Sequence, residues 1–225
     1  YAGSAYEIPT EAEARAAIQE LAAKKVDLVK IWVDDRMGRA PRLAPNLYRA
    51  AIAEAHARGL RVNAHVYYYS DAVDLADAGI DAFAHLVRDK EMDDALVASI
   101  VGRNVYVMPN LTGEWNTYSE FPRWLKDGDP LMVLLLQSTP QAVIDRMKKA
   151  YEGRTTEAIE RARTQHSILE RSLTRLARAN AKIVLGSDTG LPDRLLGVAE
   201  QRELENMTKA GMTPMQDIVA ATRRP

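Results

Sequence analysis

The chain of 225 residues contains no cysteine, which excludes disulfide bonds and thiolate metal sites. Any metal ion would therefore be held by histidine, carboxylate or modified lysine side chains. The longest apolar run, Leu131 to Leu136, falls far short of the ~18 residues that a membrane-spanning helix needs. Charge of one sign is not in excess either, since 30 basic and 31 acidic residues leave a formal net charge of −1. Neither a nucleic acid nor a membrane is predicted as a partner.

The overall composition is that of a globular chain with a core, because 47% of the residues are hydrophobic and 27% are charged. The length corresponds to one large domain or two small ones. The chain begins with Tyr1 and ends at Pro225, just past a helical pattern, and we interpret both ends as cuts. This interpretation leaves open whether a leader peptide precedes the sequence. The lack of cysteine does not decide between a cytoplasmic and an exported protein, so the localisation is unknown.

Apolar segments that are rich in β-branched residues alternate with helical patterns along the chain. Strands are predicted at residues 26–33, 61–66, 82–86, 104–111 and 181–185. The first helix begins with a capping box, Thr10 with Glu13, and the last helices are predicted near 198–210 and 214–222. This alternation indicates an α/β fold of parallel β/α units with right-handed crossovers. Both a doubly wound sheet and part of a β/α barrel are consistent with this alternation of strands and helices.

One long connection, of about 70 residues, interrupts this alternation between the fourth and fifth predicted strands. Its first part, residues 112–129, lacks a clear period and is interpreted as an ordered loop. That part is rich in aromatic residues and proline, namely Trp115, Tyr118, Phe121, Pro122 and Trp124. Such a loop is either a lid over a binding site or a packed Ω-loop. Residues 139–180 have a helical pattern, so the region 112–180 is predicted to be a lid-like loop with a helical insertion.

Ionisable residues lie at the ends of four predicted strands, namely Lys30, His65, His85 and Asp188. In β/α barrels, catalytic residues lie at the carboxyl ends of the strands, where side chains from different strands converge. Imidazole and carboxylate ligands suit a divalent transition-metal ion. A carboxylate beside a metal-activated water can act as general base, and Asp188 is the candidate for that role.

The segments that carry these residues resemble the metal-site strands of the amidohydrolase superfamily, in its imidazolonepropionase/prolidase-like branch. They read Val-Lys-Ile-Trp, Asn-Ala-His-Val-Tyr, Gly-Ile-Asp-Ala-Phe-Ala-His and Leu-Gly-Ser-Asp-Thr-Gly. Residues 203–223 are similar to the same branch, so the resemblance covers most of the chain outside 112–180. It implies an incomplete (β/α)8 TIM-type barrel, consisting of strands four to eight with their helices, as a single barrel fragment over residues 1–225.

The resemblance also implies a metal site. Lys30 would be carbamylated and bridge two metal ions, and His65 and His85 would bind one of them. Asp188 would bind the other ion and serve as the base. The implied cofactor is a divalent metal, with zinc as the first choice and one or two ions per site.

The function that the resemblance implies is hydrolysis of a C–N amide bond by attack of metal-bound hydroxide on a carbonyl. The substrate would be a small amide or peptide, such as a dipeptide or a cyclic amide. Tyr67 would polarise the substrate carbonyl, although Tyr68 and Tyr69 compete for this role. Arg88 is a candidate for binding a substrate carboxylate. The oligomeric state is left open.

Two alternatives to this function remain open. The family's first strand carries a His-x-His motif that this sequence lacks, so strands one to three are expected to be absent and the fragment alone catalytically inactive. Alternatively, Lys30 is the imine-forming lysine of a non-hydrolytic β/α barrel.

Each candidate residue also has a simpler interpretation. His65 could be a hydrogen-bonded core histidine, Asp188 a turn cap, and Arg88 a solvated ion-pair partner. The tyrosines at 67–69 could serve only in packing. His56 and His166 both fall on helical patterns and are predicted to lie on helix surfaces.

Overall fold

The computed structural model describes residues 6–35, 37–118, 130–190 and 194–223. The chain forms two compact units. The first consists of Tyr1–Met108 with Arg178–Ile183, and the second of Pro109–Ala177 with Val184–Pro225.

The first unit contains a sheet of five parallel strands in the order of the sequence. The strands are β1 (Leu28–Trp32), β2 (Arg61–His65), β3 (Ala82–Phe83), β4 (Tyr106–Val107) and β5 (Lys182–Ile183). The predicted α/β fold with parallel β/α units is thus confirmed. The described strands form an open sheet with β1 and β5 at its edges, and it does not close into a barrel.

The described residues of the first unit form four helices, of which the first and the last begin at a residue whose side chain accepts a hydrogen bond from a free backbone N–H. They are α1 (Glu11–Ala23), α2 (Pro45–Ala57), α3 (Tyr69–Asp77) and α4 (Asp94–Gly102). As predicted, the Thr10 side chain accepts a hydrogen bond from the Glu13 backbone N–H. Pro45 occupies the first turn of α2, where a missing N–H costs nothing. Side chains of the strands and helices form a buried core, among them Val29, Ile31, Tyr48, Ile52, Val62, Leu75, Phe83 and Ile100.

Strand β1 has one buried and one exposed face. Val29 and Ile31 are buried, whereas Leu28, Lys30 and Trp32 are exposed. Successive side chains of a strand point to opposite faces, so Lys30 and Trp32 share a face. In β2, by contrast, all four residues from Val62 to His65 are buried.

The last three strands are shorter than predicted, because only two residues of each take part in the ladder. The apolar pattern continues beyond the ladder, since Leu86 and Val87 are fully buried although β3 ends at Phe83. Periodicity reports burial and cannot distinguish a buried strand from a buried irregular segment, which explains the error.

The second unit is helical. It contains α5 (Thr112–Tyr118), α6 (Pro130–Ser138), α7 (Gln141–Glu152), α8 (Thr156–Arg178), α9 (Val198–Lys209) and α10 (Pro214–Thr222). Arg178, the last residue of α8, belongs to the first unit. The helices predicted within 139–180 and at 198–210 and 214–222 are confirmed. No helix in the described part of the chain combines the length and the apolar character needed to cross a membrane.

The prediction of a loop at residues 112–129 was wrong for its first part, which forms α5. Glu203 of α9 holds the start of this helix, because its carboxylate accepts hydrogen bonds from the Leu111 N–H, the Thr112 N–H and the Thr112 hydroxyl at 2.9, 2.8 and 2.6 Å. A cap supplied from a residue 91 positions away leaves no local sequence signal. Burial raises the pKa of Glu203 to about 7, and these three donors oppose the rise. The predicted lid residues Phe121, Pro122 and Trp124 lie outside the described residues.

The prediction that His166 lies on a helix surface was also wrong. His166 is buried on α8, and the edge of its ring meets the ring of Tyr118 with centroids 5.2 Å apart. Burial lowers the pKa of His166 to about 4. The outcome for His56 matches the prediction, since its half-exposed side chain places Nε2 at 2.8 Å from Oδ2 of Asp81.

We expect the substitution Glu203→Ala to reduce the free energy of unfolding by about 2–4 kcal/mol, because it leaves buried donors without an acceptor. Urea unfolding measures this loss. Glu203→Gln keeps an acceptor oxygen and should cost less. Glu157→Ala, in the exposed first turn of α8, is the control. Equal stability of the Glu203→Ala and Glu157→Ala variants would contradict the capping role.

We expect His166 to make the protein less stable in mild acid. Its folded-state pKa of about 4 lies below its ordinary value of 6.5. Between these two pH values, the unfolded chain therefore binds a proton at His166 that the folded chain does not bind. Stability should therefore fall as the pH decreases from 6.5 towards 4, by about 2 kcal/mol at pH 5. His166→Leu should remove this component, whereas His56→Leu should not. Unfolding free energies of the three proteins at pH 7.5 and pH 5 test this, and parallel losses in all three would refute it.

Candidate active site

The parallel strands of the first unit bring two of the predicted site residues, His65 and His85, to one edge of the sheet, whereas Lys30, predicted at a strand end, is the middle residue of β1 and pairs with Asn63. Lys30 lies in β1, His65 is the last residue of β2, and His85 follows β3 by two residues. The imidazole rings of His65 and His85 are in contact, with centroids 4.4 Å apart and planes at 74°. Both rings are buried. Two imidazole groups from neighbouring β/α units therefore meet at one point of the sheet edge.

The ring of His65 is held on one face and at one edge. The indole of Trp32, its partner in the β1–β2 ladder, stacks on it with centroids 3.8 Å apart and an interplanar angle of 16°. At the ring edge, Nε2 lies 2.7 Å from Oδ2 of Asp34. The other nitrogen, Nδ1, is buried without a hydrogen-bond partner among the described residues.

The surroundings of His65 favour its neutral form. Burial lowers the pKa of this imidazole, and the positive charges of Arg88 and Lys30 act in the same direction, while Asp34 opposes them. A neutral imidazole has one nitrogen with a lone pair, which is the form that binds a metal ion.

Only part of a metal-ligand set is assembled. Within the described ranges, no three side chains of the His, Cys, Asp and Glu types are grouped in a way that could hold a metal ion. The pair formed by His65 and His85 fits a divalent ion in ligand type and proximity. Lys30 is exposed on the adjacent strand, and an unmodified ammonium group is not a ligand. A third ligand would thus be carbamylated Lys30, or a group outside this cluster.

The three consecutive tyrosines after β2 differ in their contacts. The Tyr68 hydroxyl donates to Oδ1 of Asp35 at 2.8 Å, and the Tyr69 hydroxyl donates to Oδ2 of Asp93 at 2.7 Å. These two hydroxyl groups hold their loops together. The role of Tyr67 in substrate contact stays a prediction.

Arg88 lies beside Tyr67. Its backbone N–H donates to the Tyr67 carbonyl at 2.9 Å, and its guanidinium carbon is 5.7 Å from the centroid of the Tyr67 ring. The two predicted substrate-binding residues are thus neighbours in the first unit.

Asp188 belongs to the second unit. Its backbone has a φ of +54°, the left-handed region that aspartate tolerates better than most residues. Its Oδ2 accepts a hydrogen bond from Arg194 Nη1 at 2.9 Å. Arg194 packs tightly against Gly113, where a Cβ atom would approach its Nη2 to 2.8 Å. The preceding Ser187 is buried and donates to Glu200 Oε1 at 2.6 Å. Asp188 is therefore presented on a well-anchored turn.

Three residues with clear roles in this geometry were missed in the sequence. They are Trp32, Asp34 and Arg194. A signal existed for Asp34, because an acidic residue two positions after the end of an apolar strand lies at the same sheet edge as the strand-end histidines. No signal existed for the stacking of Trp32 on His65, which depends on the β1–β2 register.

Comparison with known proteins supports a relationship at the level of the fold. No family model matches the chain. Uncharacterized proteins of Mycobacterium tuberculosis and Mycobacterium bovis are 34% identical to it over 114 residues, which are 49% of this chain and 30% of each relative. The chain therefore spans about a third of the length of these curated relatives.

Three solved structures are similar over nearly the whole chain. A Xaa-Pro dipeptidase with bound methionine has a TM-score of 0.65 at 18% identity and is matched over 98% of this chain and 50% of its own. The ochratoxinase of A. niger has a TM-score of 0.67 at 16% identity, with 96% and 42% covered. A prolidase complexed with n-methylphosphonate-L-proline has a TM-score of 0.65 at 18% identity, with 96% and 46% covered. The resemblance to the amidohydrolase superfamily is thereby confirmed for the fold, and the chain spans about half the length of these structures.

Proposed function

We propose that this chain belongs to a metal-dependent hydrolase that cleaves a C–N amide bond in a small molecule, such as a dipeptide or a cyclic amide. The observation that carries the proposal is the buried contact between His65 and His85 at the carboxyl ends of adjacent parallel strands. Catalytic residues of β/α enzymes lie at this position. The similar structures include a Xaa-Pro dipeptidase and a prolidase, which supports an amide as the substrate.

The proposal includes a larger barrel. We infer that β1 to β5 correspond to strands four to eight of an eight-stranded β/α barrel, with residues 112–180 as an insertion and lid. The sequential order of five parallel strands supports this inference, as does the match to about half of each solved structure.

The residues of the first unit define where a metal ion would bind. His65, through Nδ1, and His85 would hold it, and Lys30 as a carbamate would complete the set. Zinc is the preferred ion, with one or two ions per site. When bound, such an ion supplies Lewis acidity and lowers the pKa of a water molecule to about 7.

The other candidate residues act on the substrate. The Tyr67 hydroxyl orients the scissile carbonyl and donates a hydrogen bond to it as negative charge develops on its oxygen. Arg88, next to Tyr67, binds a carboxylate of the substrate. Asp188 takes the proton of the attacking water and delivers it to the leaving amine. The hydrogen bond from Arg194 holds the Asp188 carboxylate in one orientation.

The alternative in which Lys30 forms an imine is less favoured. Imine-forming lysines are activated by desolvation or by a neighbouring cation, and Lys30 lies on the exposed face of β1.

A metal titration tests the proposed site. We expect Zn²⁺ or Co²⁺ to bind with about one equivalent per chain, and the double variant His65→Ala/His85→Ala to lose this binding because both nitrogen ligands are removed. His56→Ala is the matched control, since His56 is paired with an aspartate at a helix surface. Calorimetry measures the binding. No binding by the unaltered protein, or undiminished binding by the double variant, would reject the assignment.

An activity assay tests the role of Asp188. We expect Asp188→Asn to lower the rate of hydrolysis of dipeptides or cyclic amides by about 10²–10⁴-fold in the full protein, because proton transfer is lost. The exposed Asp145→Asn on α7 serves as the control. Unfolding temperatures of both variants should equal that of the unaltered protein. Full activity of the Asp188→Asn variant would remove this residue from the mechanism.

A further inference from the structure

A buried glutamate of the second unit has no role in the function proposed so far. Glu203 of α9 is fully buried, and its carboxylate accepts hydrogen bonds from the backbone N–H groups of Leu111 and Thr112 and from the Thr112 hydroxyl. A carboxylate that is removed from water is costly unless donors compensate it. All three donors belong to the start of α5, so Glu203 fixes the first turn of that helix against α9.

The residue that follows Thr112 is a glycine whose bare backbone lies against an arginine side chain. A Cβ atom added to Gly113 would lie 2.8 Å from Nη2, 3.2 Å from Cζ and 3.4 Å from Nη1 of Arg194. These distances are shorter than an ordinary non-bonded contact, so one of the two groups would have to move. The guanidinium is the end of a flexible side chain and would move before the helix does. Gly113 therefore provides the space that this guanidinium occupies.

Arg194 connects this contact to the predicted base. Its Nη1 donates to Oδ2 of Asp188 at 2.9 Å, and its backbone carbonyl accepts a hydrogen bond from the Gly190 N–H at 3.2 Å. The Arg194 side chain is 14% exposed, whereas that of Asp188 is 42% exposed. The carboxylate thus has little packing of its own, and the charge-assisted hydrogen bond from the arginine sets its orientation.

The backbone that carries Asp188 is anchored to the same helix as the start of α5. The preceding Ser187 is buried and donates to Oε1 of Glu200 at 2.6 Å. Glu200 and Glu203 are three residues apart in α9, so they are neighbours on one face of the helix. One carboxylate holds the turn that carries Asp188, and the other holds the turn that carries Gly113.

We propose that Glu203 and Gly113 are positioning residues for the Asp188 carboxylate. Both act through Arg194, because Glu203 fixes the first turn of α5 and the bare backbone of Gly113 seats the guanidinium. All of these residues belong to the second unit. The seating of Arg194 stands on the contacts within this unit, whereas its benefit for proton transfer rests on the proposed function.

The substitution Gly113→Ala separates this role from the stability of the fold. It adds one methyl group within a helix, where alanine is favoured over glycine, and it displaces only the end of a flexible side chain. We therefore expect the unfolding temperature to stay equal or to rise. Gly153→Ala in the same unit is the matched control, because its added Cβ would meet its nearest atom at 3.7 Å, an ordinary contact.

Nitrogen NMR of the arginine side chains at pH 8, above the pKa of Glu203, tests the seating of the guanidinium. A guanidinium that is held by an ion pair and by packing rotates slowly and gives separate Nη signals, whereas a released one gives an averaged signal. We expect separate signals for Arg194, which Arg194→Lys removes and Gly153→Ala leaves unchanged. Gly113→Ala and Glu203→Gln should both give an averaged signal. Averaging in the unaltered protein, or separate signals in either folded variant, overturns the proposal.

Rates of amide hydrolysis by the full protein test the consequence for Asp188. We expect Gly113→Ala to lower kcat by about 10–100-fold with little change in KM, because a displaced carboxylate transfers the proton poorly. Added to Asp188→Asn, the same substitution should cause no further loss, since its target is already removed. An undiminished kcat, or a full further loss in the double variant, would overturn the positioning role. If Asp188→Asn is fully active, the proposed function fails, and the NMR spectra by themselves then decide the seating of Arg194.

Discussion

The parallel pairing of β1 with β2 is the constraint on which the arrangement of the candidate site depends. Its register places Lys30 opposite Asn63 and Trp32 opposite His65. A shift by one residue would turn every side chain of the shifted strand to the other face of the sheet. The indole would then no longer stack on the imidazole, because Lys30 and Trp32 would both turn to the opposite face of the sheet. The contact between His65 and His85 extends the same geometry to β3.

Buried polar groups mark the places where this protein departs from an ordinary apolar core. In the first unit, the buried carboxylate of Asp34 lies beside the buried ring of His65, with 2.7 Å between Oδ2 and Nε2. In the second unit, Glu203 is fully buried, and its carboxylate binds the start of α5. Such groups are stable only while their partners stay in place, which makes both pairs sensitive to single substitutions.

The described residues of this chain bring together fewer ligands than the proposed chemistry needs. The two imidazoles come from consecutive β/α units within the chain, whereas the comparison structures are about twice as long. Within the described residues, no full cluster of metal-binding side chains is present. Under the proposed function, His65 and His85 would be the contribution of these strands to a metal site, and this can be tested because metal affinity can be measured without turnover.

Local sequence patterns were sufficient to predict the order of the strands, most of the helices and the position of His65 at the end of β2. Apolar periodicity, the capping box at Thr10 and the proline at 214 each act over a few residues, so they can be read without the fold. The tertiary structure alone decided the lengths of β3 to β5, the helix at Thr112, the burial of His166 and the pairing of Asp34 with His65. Each of these depends on a partner that is distant in sequence, and burial and hydrogen bonding between distant residues exist only after the chain has folded.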